Sequence, residues 1–490
     1  MKVLLVSAAT PDTFWSYRHV LSFVSKKAAF PPLGLMTVAA MLPRDWELRL
    51  ADLNVRRLTD RDLDWADYVL LSAMIVQLDS AREVVRRARA RGKPVIGGGP
   101  LFTTGRDRIP EVEHVVVGEA ERVISQLVDD MKAGRVRAEY ATIERPDLAE
   151  TPPPRWDLID LRHYAMMSVQ YSRGCPFNCE FCDIIEVNGR VPRVKAPEQM
   201  IRELDDLIEA GWRGPVFVVD DNFIGNKVKV KRFLRRLVEW REQRRPDMTF
   251  VTEASVNLAD DAELLDLMPR AGFRKVFVGI ETPEEAGLLE CAKVQNTRRD
   301  LIAAVRKIQN SGMEVMAGFI IGFDSDSPLI FEHQRRFIEE SGIVQAMVGL
   351  LMALPGTQLF RRLSREGRIL DHATGNNVAS FLNFVPKLDR DLLIQGYRSL
   401  VKHLYAPESY YSRILAFLRE YRPNGPRSRN GWQDVKALLK SFWVMGVWTE
   451  GRREYWKFVT RVILEHRRKF SEAMTLAIMG YHFRRVAAAL

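Results

Sequence analysis

The chain has 490 residues, an apolar share of 47% and a formal charge of +10. That length exceeds one ordinary domain, so two or three are expected. No apolar run reaches the ~18 residues that a bilayer span needs, and four cysteines in so long a chain do not make a disulfide framework.

In chain order, Met1-Lys2-Val3-Leu4-Leu5-Val6 opens with a basic residue and an apolar run, which Thr10-Pro11-Asp12 ends too soon for a secretory signal. It reads as a first buried strand. Further strands are predicted over 47–52, 68–72, 94–97 and 114–117, after the first at 3–7, with helix-like segments between them. This is the pattern of a doubly wound parallel sheet. Two strand ends carry Gly97-Gly98-Gly99-Pro100 and Gly118-Glu119-Ala120-Glu121. Ligands of open α/β sheets sit beyond the carboxyl ends of the strands, where glycines let the backbone come close. The same glycines also serve tight turns, and both readings stay open.

Thr151-Pro152-Pro153-Pro154-Arg155 predicts a stiff linker. It divides a first domain (1–145) and a connecting segment (146–165) from a second α/β series (166–385) and a helical tail (386–490). The strands of the second series are predicted over 168–172, 215–219, 249–254, 275–279, 314–321 and 346–351, with helices such as 197–210 and 229–241. Six such units point to a partial (β/α)6 barrel whose chemistry lies at the carboxyl ends of its strands.

The charge is uneven. Residues 421–490 hold fourteen Lys and Arg against five Asp and Glu, nearly the whole positive excess. Over 430–486 these basic residues interleave with Trp432, Trp443, Trp448, Tyr455, Trp456, Phe458, Phe470, Tyr481 and Phe483. Such a stretch can cap the barrel, lie on an anionic membrane or bind a nucleic acid.

Cys175, Cys179 and Cys182 are spaced C-x3-C-x2-C in Arg173-Gly174-Cys175-Pro176-Phe177-Asn178-Cys179-Glu180-Phe181-Cys182. Thiolates suit iron, and a compact loop can wrap three of them around one cluster. Three ligands for four irons leave one iron open, as a catalytic metal site requires. The alternative is a structural zinc or a closed cluster with Cys291 as fourth ligand; as a lone cysteine in a helix-like segment, Cys291 reads better as a buried, inert thiol.

With an aromatic residue before its last cysteine and α/β units around it, this loop resembles the signature of the radical S-adenosylmethionine superfamily. The resemblance implies a 4Fe-4S cluster whose open iron is chelated by the amino and carboxylate groups of S-adenosylmethionine. An external electron donor such as flavodoxin or ferredoxin would reduce it, and cleavage would give methionine and a 5′-deoxyadenosyl radical. Phe181 would lie beside the adenine. Asp220, Asp221 and Asn222 stand where the superfamily often carries Gly-Gly-Glu for the methionine amino group; the chain lacks that motif, but these groups can accept from an ammonium. Glu253, Ser255, Glu281 and Gly318 end later strands. Glu281 could hold a ribose hydroxyl or cap the next helix.

A Rossmann-like domain ahead of such a barrel resembles the cobalamin-binding subgroup, through Gly97-Gly98-Gly99-Pro100, Val117-Gly118-Glu119-Ala120-Glu121 and Pro355-Gly356-Thr357. The chain has no Asp-x-His-x-x-Gly to offer a lower axial histidine, and the loop Ser72 to Gln77, with Ile75 in it, would face the cobalt. The implied reaction is methylation of an unactivated carbon: cob(I)alamin takes a methyl from one S-adenosylmethionine, a second is split to the radical, and the substrate radical takes the methyl from methylcobalamin. The tail makes the chain similar to hopanoid methylases, which implies a lipid-like or secondary-metabolite substrate. It also favours a cytoplasmic protein touching the inner face of an anionic membrane over one bound to nucleic acid. Other readings are a cobalamin-using rearrangement, cyclisation or oxidation, and a metal-stabilised nucleic-acid-binding protein. A tRNA methylthiotransferase would need three further cysteines in its first domain, and residues 1–174 contain none.

Overall fold

The computed structural model describes residues 1–424 and 431–490. Its first sheet contains β1 (Lys2–Ser7), β2 (Glu47–Asp52), β3 (Tyr68–Ser72), β4 (Val95–Gly98), β5 (His114–Val117) and β6 (Glu139–Ala141), all parallel, in the order β2-β1-β3-β4-β5-β6. Helices cover both faces of such a sheet, so the inner strand β1 is apolar without alternation: Val3, Leu4, Leu5 and Val6 are all fully buried. The edge strand β2 alternates instead. Chain order reverses between β1 and β3, which places a crevice over their carboxyl ends.

The second sheet contains β7 (Met167–Val169), β10 (Val216–Val218), β11 (Phe250–Ala254), β12 (Phe273–Glu281), β13 (Glu314–Ile321) and β14 (Ala346–Leu350), parallel throughout, in the order β14-β13-β12-β11-β10-β7. A small antiparallel hairpin, β8 (Ser172–Arg173) with β9 (Arg193–Val194), stands after β7. The first strand of this series is shorter than the sequence suggests. Beyond Val169 the chain turns out of the sheet, because the Tyr171 N–H and the Ser172 hydroxyl both donate to Asp220, at 2.7 Å each.

The sheet curls into a partial barrel and does not close: β7 and β14 remain edges. Residues 13–30, the connection leaving β1, fill the seam. Ala28 and Ala29 accept from the Ala165 and Met166 N–H groups, both at 3.0 Å, in parallel register beside the start of β7. Trp15 stacks on Phe217 at 5.9 Å and meets Phe277 at 5.1 Å, while Phe30 lies 5.4 Å from Phe217.

The tail is helical, with α1 (Arg390–Tyr405), α2 (Pro407–Glu420), α3 (Trp432–Trp443), α4 (Arg452–Glu465) and α5 (Phe470–Ala488). It backs the seam. The Tyr405 hydroxyl donates to the Ala346 carbonyl at 2.5 Å, and His482 Nε2 donates to the Thr13 and Phe14 carbonyls at 3.0 and 3.2 Å. Among the described residues nothing covers one face of α3: Trp432, Val435, Leu439 and Trp443 recur at helical spacing and are exposed, Trp432 by 68% and Trp443 by 60%. A π turn continues the strip through Val447 and Trp448. No described helix is long and apolar enough to cross a membrane.

Candidate active site

Each barrel strand alternates its side chains between lumen and helices. Phe217, Val251 and Met316 form an apolar layer with Trp15, Phe30, Val219 and Phe277 packed on it. Glu253 stands in register with Phe277, and Gly279 with Gly318. A Cβ at Gly318 would come within 2.9 Å of the Phe277 ring, so glycine keeps the lumen open there. The Glu253 carboxyl makes no hydrogen bond or ion pair with the described residues. Burial, with the nearby Asp221 and Asp220 charges, pushes its pKa up to about 8.

The thiol loop begins at Gly174, whose φ of +96° excludes ordinary side chains; a Cβ there would also lie 2.8 Å from the Gly189 carbonyl. The Gly174 N–H donates to Asp221 at 3.0 Å, as does the Asn188 amide at 2.9 Å. Asp220 and Asp221 are therefore committed to shaping the loop. Burial raises both, Asp220 to about 7. Asn222 donates toward Cys175 Sγ at 3.7 Å and to Ser255 Oγ at 3.2 Å, and Ser255 Oγ donates to Asn257 at 2.6 Å.

All three thiols of the loop are unpaired by disulfides, and Cys179 is the most buried. Burial raises the pKa of Cys175 and, more strongly, of Cys182. Among the described residues no three His, Cys, Asp or Glu side chains close on one metal ion. A cubane asks for none, since each thiolate binds a different iron.

Residues after Cys291 complete the site, and no sequence motif announces them. Gln295 Nε2 donates toward Cys179 Sγ at 3.8 Å, while its buried Oε1 has no hydrogen-bond partner among the described residues. Lys293 Nζ pairs with Glu281 at 2.6 Å and lies 6.0 Å from the Phe181 ring. Burial alone lowers Lys293, but the Glu281 carboxylate first, and then the neighbouring Cys179 and Cys182 sulfurs, outweigh it and keep the ammonium charged. Glu281, at φ 66°, is thus held by a lysine, and Asn296 clamps the strand end by donating to the Gly279 and Ile280 carbonyls at 3.0 Å each. Cys291 comes to the loop through its backbone, its carbonyl accepting from the Glu180 N–H at 2.9 Å. Its thiol donates to Leu288 O at 3.7 Å, and burial pushes it up to about 12.

At the first sheet, Gly99 has φ +91° and a Cβ there would meet Ser72 Oγ at 2.9 Å; Gly97 lies against the Phe102 ring, whereas Gly98 and Gly118 have open space around them. Ile75 is buried, and Met74 beside it is 45% exposed. The Gln77 amide is used internally, donating to Ala8 O at 2.8 Å and Thr10 Oγ1 at 2.9 Å. Glu119 is also occupied: it pairs with Arg173 at 2.6 Å and Arg193 at 2.7 Å. Burial raises its pKa, but these arginines outweigh that and hold the carboxyl below its ordinary range. The expectation of Gln77 and Glu119 as cofactor contacts meets two side chains whose polar atoms already have partners.

Residues 169–332 match the radical SAM superfamily, residues 23–128 the B12 binding domain and residues 357–490 a domain of unknown function, DUF4070. An uncharacterized methyltransferase of Synechocystis is 42% identical over 99% of this chain and 91% of its own. The hopanoid C-2 methylase of Rhodopseudomonas palustris is 34% identical over 98% and 92%. The chain belongs to the cobalamin-dependent radical S-adenosylmethionine methyltransferases. Two solved structures share the fold of this methyltransferase: the cobalamin-dependent radical enzyme OxsB, with TM-score 0.63 at 17% identity over 100% of this chain and 81% of that one, and the methyltransferase TsrM of Kitasatospora setae, with TM-score 0.63 at 16% over 100% of both.

The family's cofactors are a 4Fe-4S cluster, S-adenosylmethionine and cobalamin. The residues present fit them. Three thiols share one loop with amide donors toward two of the sulfurs, an orphaned buried acceptor waits at Gln295, and glycines with free space edge the first sheet.

Proposed function

We propose that this enzyme methylates an unactivated carbon of a lipid-like small molecule held in the barrel lumen. The observation that carries the reading is the two-part lumen, an aromatic and aliphatic layer from Trp15, Phe30, Phe217, Phe277, Val251 and Met316 below a free carboxyl at Glu253. At about 25 cal/mol per Å2, a rigid hydrocarbon burying roughly 300 Å2 there gains about 7 kcal/mol of transfer free energy, which offsets part or all of the cost of association.

In this reading residues 166–385 hold the cluster through Cys175, Cys179 and Cys182, and residues 1–145 hold cobalamin over Ser72, Ile75, Gly97, Gly98, Gly99 and Gly118. When bound, the cofactors supply the radical and the methyl group. The chain's own work is to place and to shield. Asn222 and Gln295 support the ligand sulfurs, and Glu253, Ser255 and the Gln295 carbonyl oxygen accept from the polar groups of S-adenosylmethionine. Phe181 flanks its adenine, with the Glu281–Lys293 pair beside it. The seam segment keeps water from the lumen. An external donor such as flavodoxin or ferredoxin supplies the electron.

The uncovered α3 face supports seating on an anionic membrane. Trp at the surface, with Lys436 at 5.9 Å from the Trp432 ring and the basic residues of α4 beside it, suits the headgroup region. Asn430, where the sequence places the start of this stretch, lies outside the described residues.

The test is anaerobic purification, reconstitution with iron, sulfide and cobalamin, and incubation with extracted membrane lipids and S-adenosylmethionine labelled in its methyl group. Label in a lipid product together with 5′-deoxyadenosine is expected. 5′-Deoxyadenosine with a product free of label would defeat methylation and favour a rearrangement or oxidation.

A further inference from the structure

A part-buried ionic knot joins the edge of the first sheet to the thiol loop. Glu119 follows β5 and the Gly118 turn, Arg173 ends β8 two residues before Cys175, and Arg193 opens β9. Arg193 embraces the carboxylate with Nη2 at 2.7 Å from one oxygen and Nη1 at 3.0 Å from the other. Arg173 Nη1 lies 2.6 Å from Glu119 and 2.8 Å from Glu121, which also accepts from the Thr151 hydroxyl at 3.0 Å. Arg145 approaches from the rim at 3.6 Å. Arg193 further donates to the Pro146 carbonyl at 2.8 Å and the Asn188 carbonyl at 3.1 Å, so the connecting segment and the hairpin turn are tied into the same knot.

Such a knot is poorly explained as a source of stability. Desolvating two carboxylates and two guanidiniums cancels most of their attraction, and an apolar contact would do as well. What charges in a forked, bidentate geometry do supply is a fixed distance and angle. The elements fixed here are the Gly118 turn, with open space around it, and the start of the thiol loop at Gly174.

We propose that Glu119 is a positioning residue that sets the spacing between bound cobalamin and the cluster by holding the β8–β9 hairpin against the end of β5. The proposal rests on the cofactor placement above. It replaces a role for Glu119 as a cofactor ligand, since both of its oxygens accept from guanidinium groups.

The test uses reconstituted holoenzyme with Glu119→Gln, and with Arg193→Lys as the milder second variant. Pulsed EPR reads the distance distribution between the paramagnetic cobalt of bound cobalamin and the reduced cluster, and hydrogen exchange reads residues 172–194. Glu119→Gln should keep wild-type iron, sulfide and cobalamin contents, widen the distance distribution at least about twofold and speed hairpin exchange about tenfold. Arg193→Lys should fall between it and the wild type, and it decides the question by the same readouts if the Gln variant does not fold. An unchanged distribution would overturn the proposal. So would loss of cobalamin with hairpin exchange unaltered, which would make Glu119 a ligand after all. Wild-type protein that takes up no cobalamin would instead defeat the cofactor placement, and the exchange arm would still show whether Glu119 orders the hairpin.

Discussion

The carboxyl-terminal edges of the two sheets are built from opposite materials. The first sheet presents glycines, a serine and aliphatic side chains, and the acid it carries, Glu119, is consumed by arginines. The barrel presents Glu253 and the Glu281–Lys293 pair, with Asp220 and Asp221 behind them bracing the thiol loop, and Glu253 is electrostatically coupled to both aspartates. A large, nearly flat cofactor is accepted by shape and by close backbone approach, whereas a small sulfonium with an ammonium and a carboxylate needs charges set in low dielectric. The contrast teaches that one side should fail by steric change and the other by charge change.

The largest expected effect breaks the barrel side outright. Cys179→Ala removes a ligand of the proposed cluster, and 5′-deoxyadenosine release should fall by at least about 1000-fold, because no side chain can substitute for the radical source. Cobalamin uptake, read by its visible spectrum, should persist; loss of both would mean the two edges are not independent.

Next is Gly99→Val, which puts a branched side chain at φ +91° against Ser72. Cobalamin occupancy should drop by about tenfold or more while iron content stays at the wild-type level, at a stability cost of about 1–3 kcal/mol. Equal loss of iron would contradict the division of labour.

The smallest effect sharpens the charge side. Glu253 has its folded pKa raised, to about 8. Between the unfolded carboxylate value and pH 8 the native state therefore holds a proton that the unfolded chain has lost, and stability falls as pH rises through that window. Glu253→Gln should remove the Glu253 share of this fall while that of Asp220 remains, making the cofactor-free variant more stable than wild type at pH 8.5, by on the order of a few kcal/mol, and about equal to it near pH 4. Thermal unfolding at the two pH values checks the sign; a variant less stable at pH 8.5 would show that the carboxylate has a partner.

Much of the architecture was legible because parallel strands buried on both faces announce themselves as apolar runs. β2, β3 and β5 match their predicted bounds, and β1 begins one residue earlier. β6 was missed: three residues with only Tyr140 buried give no run to detect. The thiol loop was legible from spacing alone. Its supports were not, because Lys293, Gln295 and Asn296 lie in an irregular stretch after a six-residue helix, with no strand end to flag them. Glu119 was legible as the end of a strand, but its partners Arg173 and Arg193 stand on a hairpin whose strands are two residues each, too short for any pattern.

The seam of the barrel has a consequence for how such enzymes diversify. Its filling, residues 13–30, belongs to the connection out of β1 and carries none of the cysteines or strand-end acids. Swapping that single stretch would recut the apolar wall through Trp15 and Phe30 while the cysteine loop and the strand-end acids stay as they are, so a new client molecule needs no new chemistry.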